Sequence, residues 1–447
     1  MESTFALLLK NGRIVSPSGI VRADIGVREG RIAAIGDLDA SAGREVIDCS
    51  GLHVLPGVID TQVHFREPGG EHKEDLETGS KAAILGGVTG VFEMPNTSPA
   101  TTTRAAIEDK VRRATGRMYC DFAFYAGATA ENAGSLAGLE RLPGVCGVKV
   151  FMGSSTGDLL VADDESLARV LANIRRRAAF HSEDEARLNA RKGERIDGDV
   201  SSHPVWRDEE AALRATKRLL ALAKAAGRRV HVLHVSTAEE LPLLAAARDF
   251  ASVEITPHHL TLAAPDAYER LGTLAQMNPP VRAARHREAL WRAVNSGLAD
   301  VLGSDHAPHL LEEKARDYPA SPSGMPGVQT LVPVMLDHVN AGRLSLSRFV
   351  DLMCEGPHRL FQIASKGRVA QGYDADFTIV DLKARRTITN NWIASRCGWT
   401  PYDGMTVTGW PLGTIVRGRR VMWEDEITDE ACGAPMRFME TLQGERA

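Results

Sequence analysis

Histidines, a lysine and acids recur in this chain directly after short apolar runs. Val58-Ile59 leads into Asp60-Thr61-Gln62-Val63-His64-Phe65-Arg66, and Phe92-Glu93 leads into Met94-Pro95-Asn96-Thr97. Further on, Val148 precedes Lys149, Phe180 precedes His181-Ser182-Glu183, and Leu233 precedes His234-Val235-Ser236-Thr237. His258-His259 and Ser304-Asp305-His306-Ala307-Pro308-His309 complete the series. Taken singly, each histidine is more often a hydrogen-bonded core or surface residue than a ligand. Imidazoles and a carboxylate drawn to one point would make a divalent metal site, zinc in the first place. An open position on such a metal polarises a carbonyl and lowers the pKa of bound water, giving hydroxide near neutral pH. Lys149 breaks the pattern, because an ammonium repels a cation. It suits the site only when modified or when set outside the coordination sphere, and a surface lysine is the bland alternative.

What would draw these residues together is the order of the elements that carry them. From about residue 57 to 362, apolar strands alternate with helical stretches such as 109–115, 166–177, 208–226 and 285–296. The strands end at Ile59, Met94, Tyr125, Phe151, Phe180, Leu233, Ile255 and Leu302. Such alternation predicts an α/β protein with a (β/α)8 TIM-like barrel, whose active-site residues come from the C-terminal ends of the strands. A doubly wound sheet would need a Gly-x-Gly-x-x-Gly turn after a strand, and none is present. The flanks read differently. Phe5 to Leu9, Ile25 to Val27 and Ile32 to Ile35 are short strands separated by turns, and the texture returns over 375–380 and 413–422. The expected organisation is a small β-sandwich domain built from both chain termini, residues 1–55 and 363–447, around a hydrolase barrel over 56–362.

Composition removes other classes. The chain has 447 residues, 43% hydrophobic and 25% charged, which suits one large domain with a smaller companion. A net charge of -5 argues against a nucleic-acid binder. The Met1 to Phe5 start carries no secretory pattern and no run nears the ~18 apolar residues of a membrane span, so a cytoplasmic protein without membrane association is expected. Six cysteines are scattered singly, with no Cys-x-x-Cys pair, so neither a disulfide framework nor a zinc ribbon is expected.

Taken in order, Gly57-Val58-Ile59-Asp60 through Glu67-Pro68-Gly69, Glu93-Met94-Pro95-Asn96-Thr97, Asn278-Pro279-Pro280-Val281-Arg282 and Ser304-Asp305-His306-Ala307-Pro308-His309 resemble the dihydroorotases of the amidohydrolase superfamily. That resemblance spans essentially the whole chain. It implies reversible hydrolysis of a cyclic ureide, interconverting the small molecules dihydroorotate and N-carbamoyl-aspartate in pyrimidine synthesis. It also implies one or two zinc ions, a homo-oligomer, and aspartate carbamoyltransferase as a candidate partner. His64 resembles the second histidine of a His-x-His metal pair, and His181 and His234 resemble the ligands of a second metal. Lys149 resembles a lysine carbamylated (N6-carboxylated) in some members to bridge two metals, which turns a cation into an anionic ligand. Asp305 resembles the aspartate that binds metal and shuttles the proton as general base and then acid. Arg66, Asn96 and His309 resemble residues that hold the substrate carboxylate, while Asn278 and the backbone at Gly324 resemble contacts to the ring amides. Arg66 supplies a planar fork suited to a carboxylate, and related allantoinases and dihydropyrimidinases usually lack it.

Gln62 departs from the pattern, standing where the first histidine of His-x-His belongs. Its amide oxygen is a neutral, weaker ligand for zinc. Two other readings therefore accompany the first: a related cyclic amidase acting on allantoin, hydantoins or dihydropyrimidines, and a non-catalytic scaffold subunit. Locally, the Pro-, Ser- and Gly-rich stretch 309–327 is expected to be a mobile lid or a plain surface loop. Arg175-Arg176-Arg177 is expected to be a solvated helix end. His203 is expected in helix-start packing or in the pocket wall, and His258 and His259 behind the ligands.

Overall fold

The computed structural model describes residues 4–155 and 159–442, so Met1 to Ser3 of the N-terminal stretch lie outside the described residues. Eight parallel strands follow one another in chain order: Val58–Val63, Val88–Glu93, Asp121–Gly127, Val145–Phe151, Ala178–His181, Val230–Val232, Ala251–Ile255 and Val301–Leu302. Every residue in them is buried. That suits strands covered on both faces and explains why they read as unbroken apolar runs without alternation. The first and last strands meet as well: Val63 bridges His306, the His64 amide donates to the His306 carbonyl at 2.7 Å, and the Ser304 amide donates to Asp60 Oδ1 at 2.9 Å. This closure brings Asp305 beside Gln62 and His64.

Helices fill the crossovers. Those over Leu76–Leu85, Arg104–Ala114, Asp164–Asn173 and Glu209–Ala226 each begin behind a side-chain cap. Asp75, Thr103, Asp163 and Asp208 accept from the amides of Thr78, Ala106, Ser166 and Ala211. Along Glu209–Ala226 the buried stripe runs Ala211, Ala215, Leu219, Ala223, one residue per turn, and the helix stops where Gly227 turns left-handed at φ 63°. The helix expected over 166–177 stops earlier, at Asn173, and of the three arginines after it only Arg175 is exposed. Arg176 is buried and donates to the Glu140 and Val145 carbonyls, while Arg177 donates to the Val230 carbonyl. Backbone carbonyls beside the barrel strands accept these cations.

The terminal segments make two sheets. One orders Arg31–Gly36, Asp24–Arg28, Phe5–Lys10 and Gly43–Asp48; the other runs from Glu426–Ile427 through Phe377–Thr387 to His53–Pro56 and Gly19–Arg22. Phe377 pairs with Pro56, so the C-terminal part is stitched to the N-terminal part by backbone hydrogen bonds. Leu7, Ile25, Val54, Phe377 and Ile415, drawn from both sheets, share one apolar core, which makes the pair a sandwich. Residues 388–405 leave this sandwich between two of its strands and cross to the barrel. There Trp399 and Tyr402 pack with Met277, Tyr318 and Met325. Among the described residues no helix is long and apolar enough to cross a membrane.

Candidate active site

At the C-terminal end of the barrel the strand ends enclose a pocket with about 350 Å³ of empty volume. Gln62, His64, Arg66, Asn96, Lys149, His181, His234, Asn278, Asp305 and Gly324 all line it. His309 stands behind this wall: its Nε2 lies 3.5 Å from Arg66 Nη2 and donates to the Ser323 carbonyl at 3.1 Å. Three of these residues hold a left-handed backbone, Arg66 at φ 61°, His234 at φ 37° and Asp305 at φ 49°. Non-glycine residues adopt that region only where the surrounding structure enforces it, and such strain gathers at functional sites.

The polar groups form two pairs. At one end His181 Nδ1 and His234 Nε2 lie 3.1 Å apart. His181 Nε2 donates to Glu183 Oε2 at 2.8 Å, so its Nδ1 carries the lone pair. Arg207 grips the same carboxylate, with Nη2 at 2.6 Å. Burial alone would raise the Glu183 carboxyl, but Arg207 and His181 outweigh it and hold it well below the usual range. At the other end His64 Nε2 lies 3.2 Å from Asp305 Oδ1, and His64 Nδ1 lies 2.8 Å from Asn96 Oδ1. Gln62 Nε2 donates to that same Asp305 oxygen at 2.9 Å.

Lys149 is buried in the same pocket, its ammonium 4.4 Å from the centre of the Phe151 ring; burial first, and then neighbouring cations including Lys149, depress the basicity of His64, His181 and His234. Burial pulls Lys149 down and pushes Asp305 up, each opposed by the other's charge. Burial also lowers Arg66 to about 10, which leaves it a cation throughout the physiological range.

These residues suit a bound divalent cation. Among the described residues no three His, Cys, Asp or Glu side chains are placed to hold a metal ion by themselves. The donors come as two pairs, and Gln62 and Lys149 line the same pocket and could add to the set. Two buried atoms there have no hydrogen-bond partner, Gln62 Oε1 and His234 Nδ1. Buried polar atoms are ordinarily satisfied, so these two mark where the pocket is incomplete as protein alone. Imidazole, carboxylate and a lysine whose charge burial suppresses form a donor set fit for zinc.

Several supporting residues escaped sequence reasoning. Glu183 could have been suspected, since it follows His181 by two positions at a strand end. Lys73, which donates to His309 Nδ1 at 3.1 Å, left no signal. His203 opens a short helix, as expected, but stands behind the pocket wall and not in it, its Nε2 lying 3.0 Å from Oδ1 of the lining residue Asn278. His259 Nε2 lies 3.2 Å from the Pro279 and Pro280 carbonyls, bracing the Asn278 segment. The stretch expected as a mobile lid or a surface loop lies partly at the surface, with Leu311, Glu312 and Arg316 exposed, and is anchored from within. Lys314, fully buried, donates to the carbonyls of Gln276, Pro322 and Gly324 at 3.0, 2.9 and 3.1 Å.

Barrel, sandwich and pocket together describe a known class. The amidohydrolase family model matches residues 53–421, and the chain belongs to that family of hydrolases. Within it, the chain is 37% identical to the dihydroorotase of Methanothermobacter thermautotrophicus, over 95% of this chain and 96% of the relative. It is 36% identical to the L-hydantoinase of Paenarthrobacter aurescens, over 95% and 96%. The solved structure of an L-hydantoinase (dihydropyrimidinase) from Arthrobacter aurescens superposes with a TM-score of 0.91 at 34% identity, covering 96% of this chain and 99% of that one.

Proposed function

We propose that the chain is a dihydroorotase, hydrolysing the cyclic amide of dihydroorotate to N-carbamoyl-aspartate and catalysing the reverse closure. The observation that carries this reading is Arg66, a buried cation lining the same pocket as Asp305 and the histidine pairs. A pocket for a neutral ring needs no such charge, whereas a carboxylate on the substrate answers it with two parallel hydrogen bonds. Similarity to curated dihydroorotases over nearly the full chain supports the same assignment.

In the hydrolytic direction Asp305 takes a proton from the attacking water as its oxygen bonds to the ring carbonyl carbon. The C–N bond then breaks, and Asp305 returns the proton to the departing nitrogen. Zinc held by His64, Asp305, His181, His234 and a carbamylated Lys149 would polarise the carbonyl and acidify the water. Arg66 and Asn96 orient the substrate carboxylate, with the Pro308 carbonyl accepting from Arg66 Nε at 3.3 Å and His309 packed behind. Asn278 and the Gly324 backbone receive the ring amides. This reading assigns the chain to pyrimidine synthesis in the cytoplasm, as a homo-oligomer, with the barrel over 56–362 carrying the chemistry and the terminal segments supporting it.

The curated L-hydantoinase favours a second reading, ring opening of a hydantoin. Zinc analysis of the purified chain, with turnover of dihydroorotate, hydantoin and dihydrouracil measured side by side, decides among them. Preferential turnover of dihydroorotate is expected. Preference for hydantoin would establish the second reading, and a zinc-free chain without turnover would establish a scaffold role.

A further inference from the structure

The two ends of the pocket differ in how ready they are for a cation. At the His181–His234 end, the ring nitrogens facing each other at 3.1 Å belong to imidazoles whose planes stand at 75°. Glu183 fixes the His181 tautomer, and Arg207 fixes Glu183 through Nε at 3.2 Å and Nη2 at 2.6 Å, all of it buried. The cost of orienting that ligand is met before any ion arrives. At the His64–Asp305 end there is one imidazole, and the carboxylate oxygen facing it already accepts an N–H from Gln62 at 2.9 Å. An imidazole in that place would bring a lone pair, whereas the amide brings a hydrogen. Gln62 has only Oε1 left to offer, buried and without a partner. Turning the amide would set this oxygen against Asp305 Oδ1, a repulsion that a bound cation relieves. An ion at either end displaces a hydrogen bond, His234 Nε2–H to His181 Nδ1 at one and Gln62 Nε2–H to Asp305 at the other, but only at the Gln62 end must it then accept a weak neutral ligand.

We infer that the pocket holds one metal ion tightly at the His181–His234 end and a second, exchangeable one at the His64–Asp305 end, with Gln62 setting the difference. This rests on the hydrolase reading above and adds to it the stoichiometry and the residue responsible. The test loads the full chain with zinc and titrates it with a competing chelator, reading zinc per chain by plasma mass spectrometry. Wild type is expected to lose one zinc at least about 10-fold more readily than the other. Gln62→His is expected to retain both over the same range. His64→Asn should keep the tight zinc and His181→Asn should lose it, so the assignment of ends stands or falls even if Gln62→His does not fold. Two zinc ions leaving wild type together, tight retention only in His181→Asn, or a folded Gln62→His indistinguishable from wild type would overturn the inference and leave the hydrolase reading intact. A folded wild-type chain that takes up no zinc would overturn both.

Discussion

The indole Nε1–H of Trp399 donates to the backbone carbonyl of His309 at 2.7 Å. Trp399 belongs to the excursion that leaves the terminal sandwich, while His309 follows the last barrel strand and touches Arg66. One hydrogen bond thus ties the sandwich to the wall behind the proposed carboxylate site. Ser395 reinforces the tie through Glu74, which also receives His306 Nε2 at 3.3 Å. The terminal sheets therefore do more than cover the barrel. Through the 388–405 excursion they anchor the segment that lies behind Arg66.

Trp399→Phe keeps the ring and deletes the donor. Losing this bond to a buried carbonyl is worth about 1 kcal/mol. The KM for dihydroorotate is expected to rise roughly five-fold with kcat little changed, because the bond serves ground state and transition state alike. Steady-state kinetics check this. A fall in kcat at constant KM would show that the tie acts on the reacting groups instead.

Glu183→Gln tests the support behind His181. The amide keeps the shape but removes the charge that Arg207 faces, and both side chains are buried, at 2% exposure or less. Breaking one partner of such a pair costs about 3 kcal/mol, read as a lowered midpoint of chemical unfolding. Zinc affinity is expected to fall roughly 10- to 100-fold as the imidazole loses its fixed tautomer. Calorimetric zinc titration of the variant, compared with wild type under conditions where both are folded, separates the two effects.

The order of barrel strands and the groups at their ends were legible in the sequence because buried parallel strands are apolar throughout, so a polar residue after such a run stands out. His64, Lys149, His181, His234 and Asp305 were visible for that reason. Trp399 was not, since its partner lies far along the chain and nothing in local spacing reports it. The anchoring of 309–327 by Lys314 left no mark in the sequence, because the three backbone carbonyls that satisfy its ammonium gather only in the folded chain. Arg176 misled for the same reason, its charge being answered by carbonyls that only the folded barrel exposes.

Arg66→Ala should separate charge recognition from chemistry. A charge-assisted pair of hydrogen bonds is worth about 3 kcal/mol, so kcat/KM for dihydroorotate is expected to fall roughly 100-fold. Dihydrouracil, the same ring without the carboxylate, has nothing for Arg66 to hold, and its slow turnover is expected to change less than about two-fold. Equal losses on both substrates would show that Arg66 acts on the pocket's shape and not on the substrate charge. Arg66→Lys should recover only part of the loss, because an ammonium cannot form the planar fork.

Lys149 predicts a pH dependence with a definite sign. Carbamylation forms an N–C bond between the neutral amine and carbon dioxide and releases a proton, so it draws on the deprotonated lysine. Burial lowers Lys149 from the ordinary lysine value, against the pull of Asp305 and Glu254. Its neutral fraction is therefore larger than that of an exposed lysine and grows as pH rises. Zinc-free protein mixed with zinc at one fixed concentration of dissolved carbon dioxide is expected to reload faster at pH 8.5 than at pH 6.5, with isotope-labelled carbon dioxide giving a carbamate carbon signal that grows in parallel. Lys149→Met removes the amine while filling similar space, and should load zinc with no response to carbon dioxide and no carbamate signal. A wild-type rate that ignores carbon dioxide at both pH values would show that Lys149 serves as an unmodified amine.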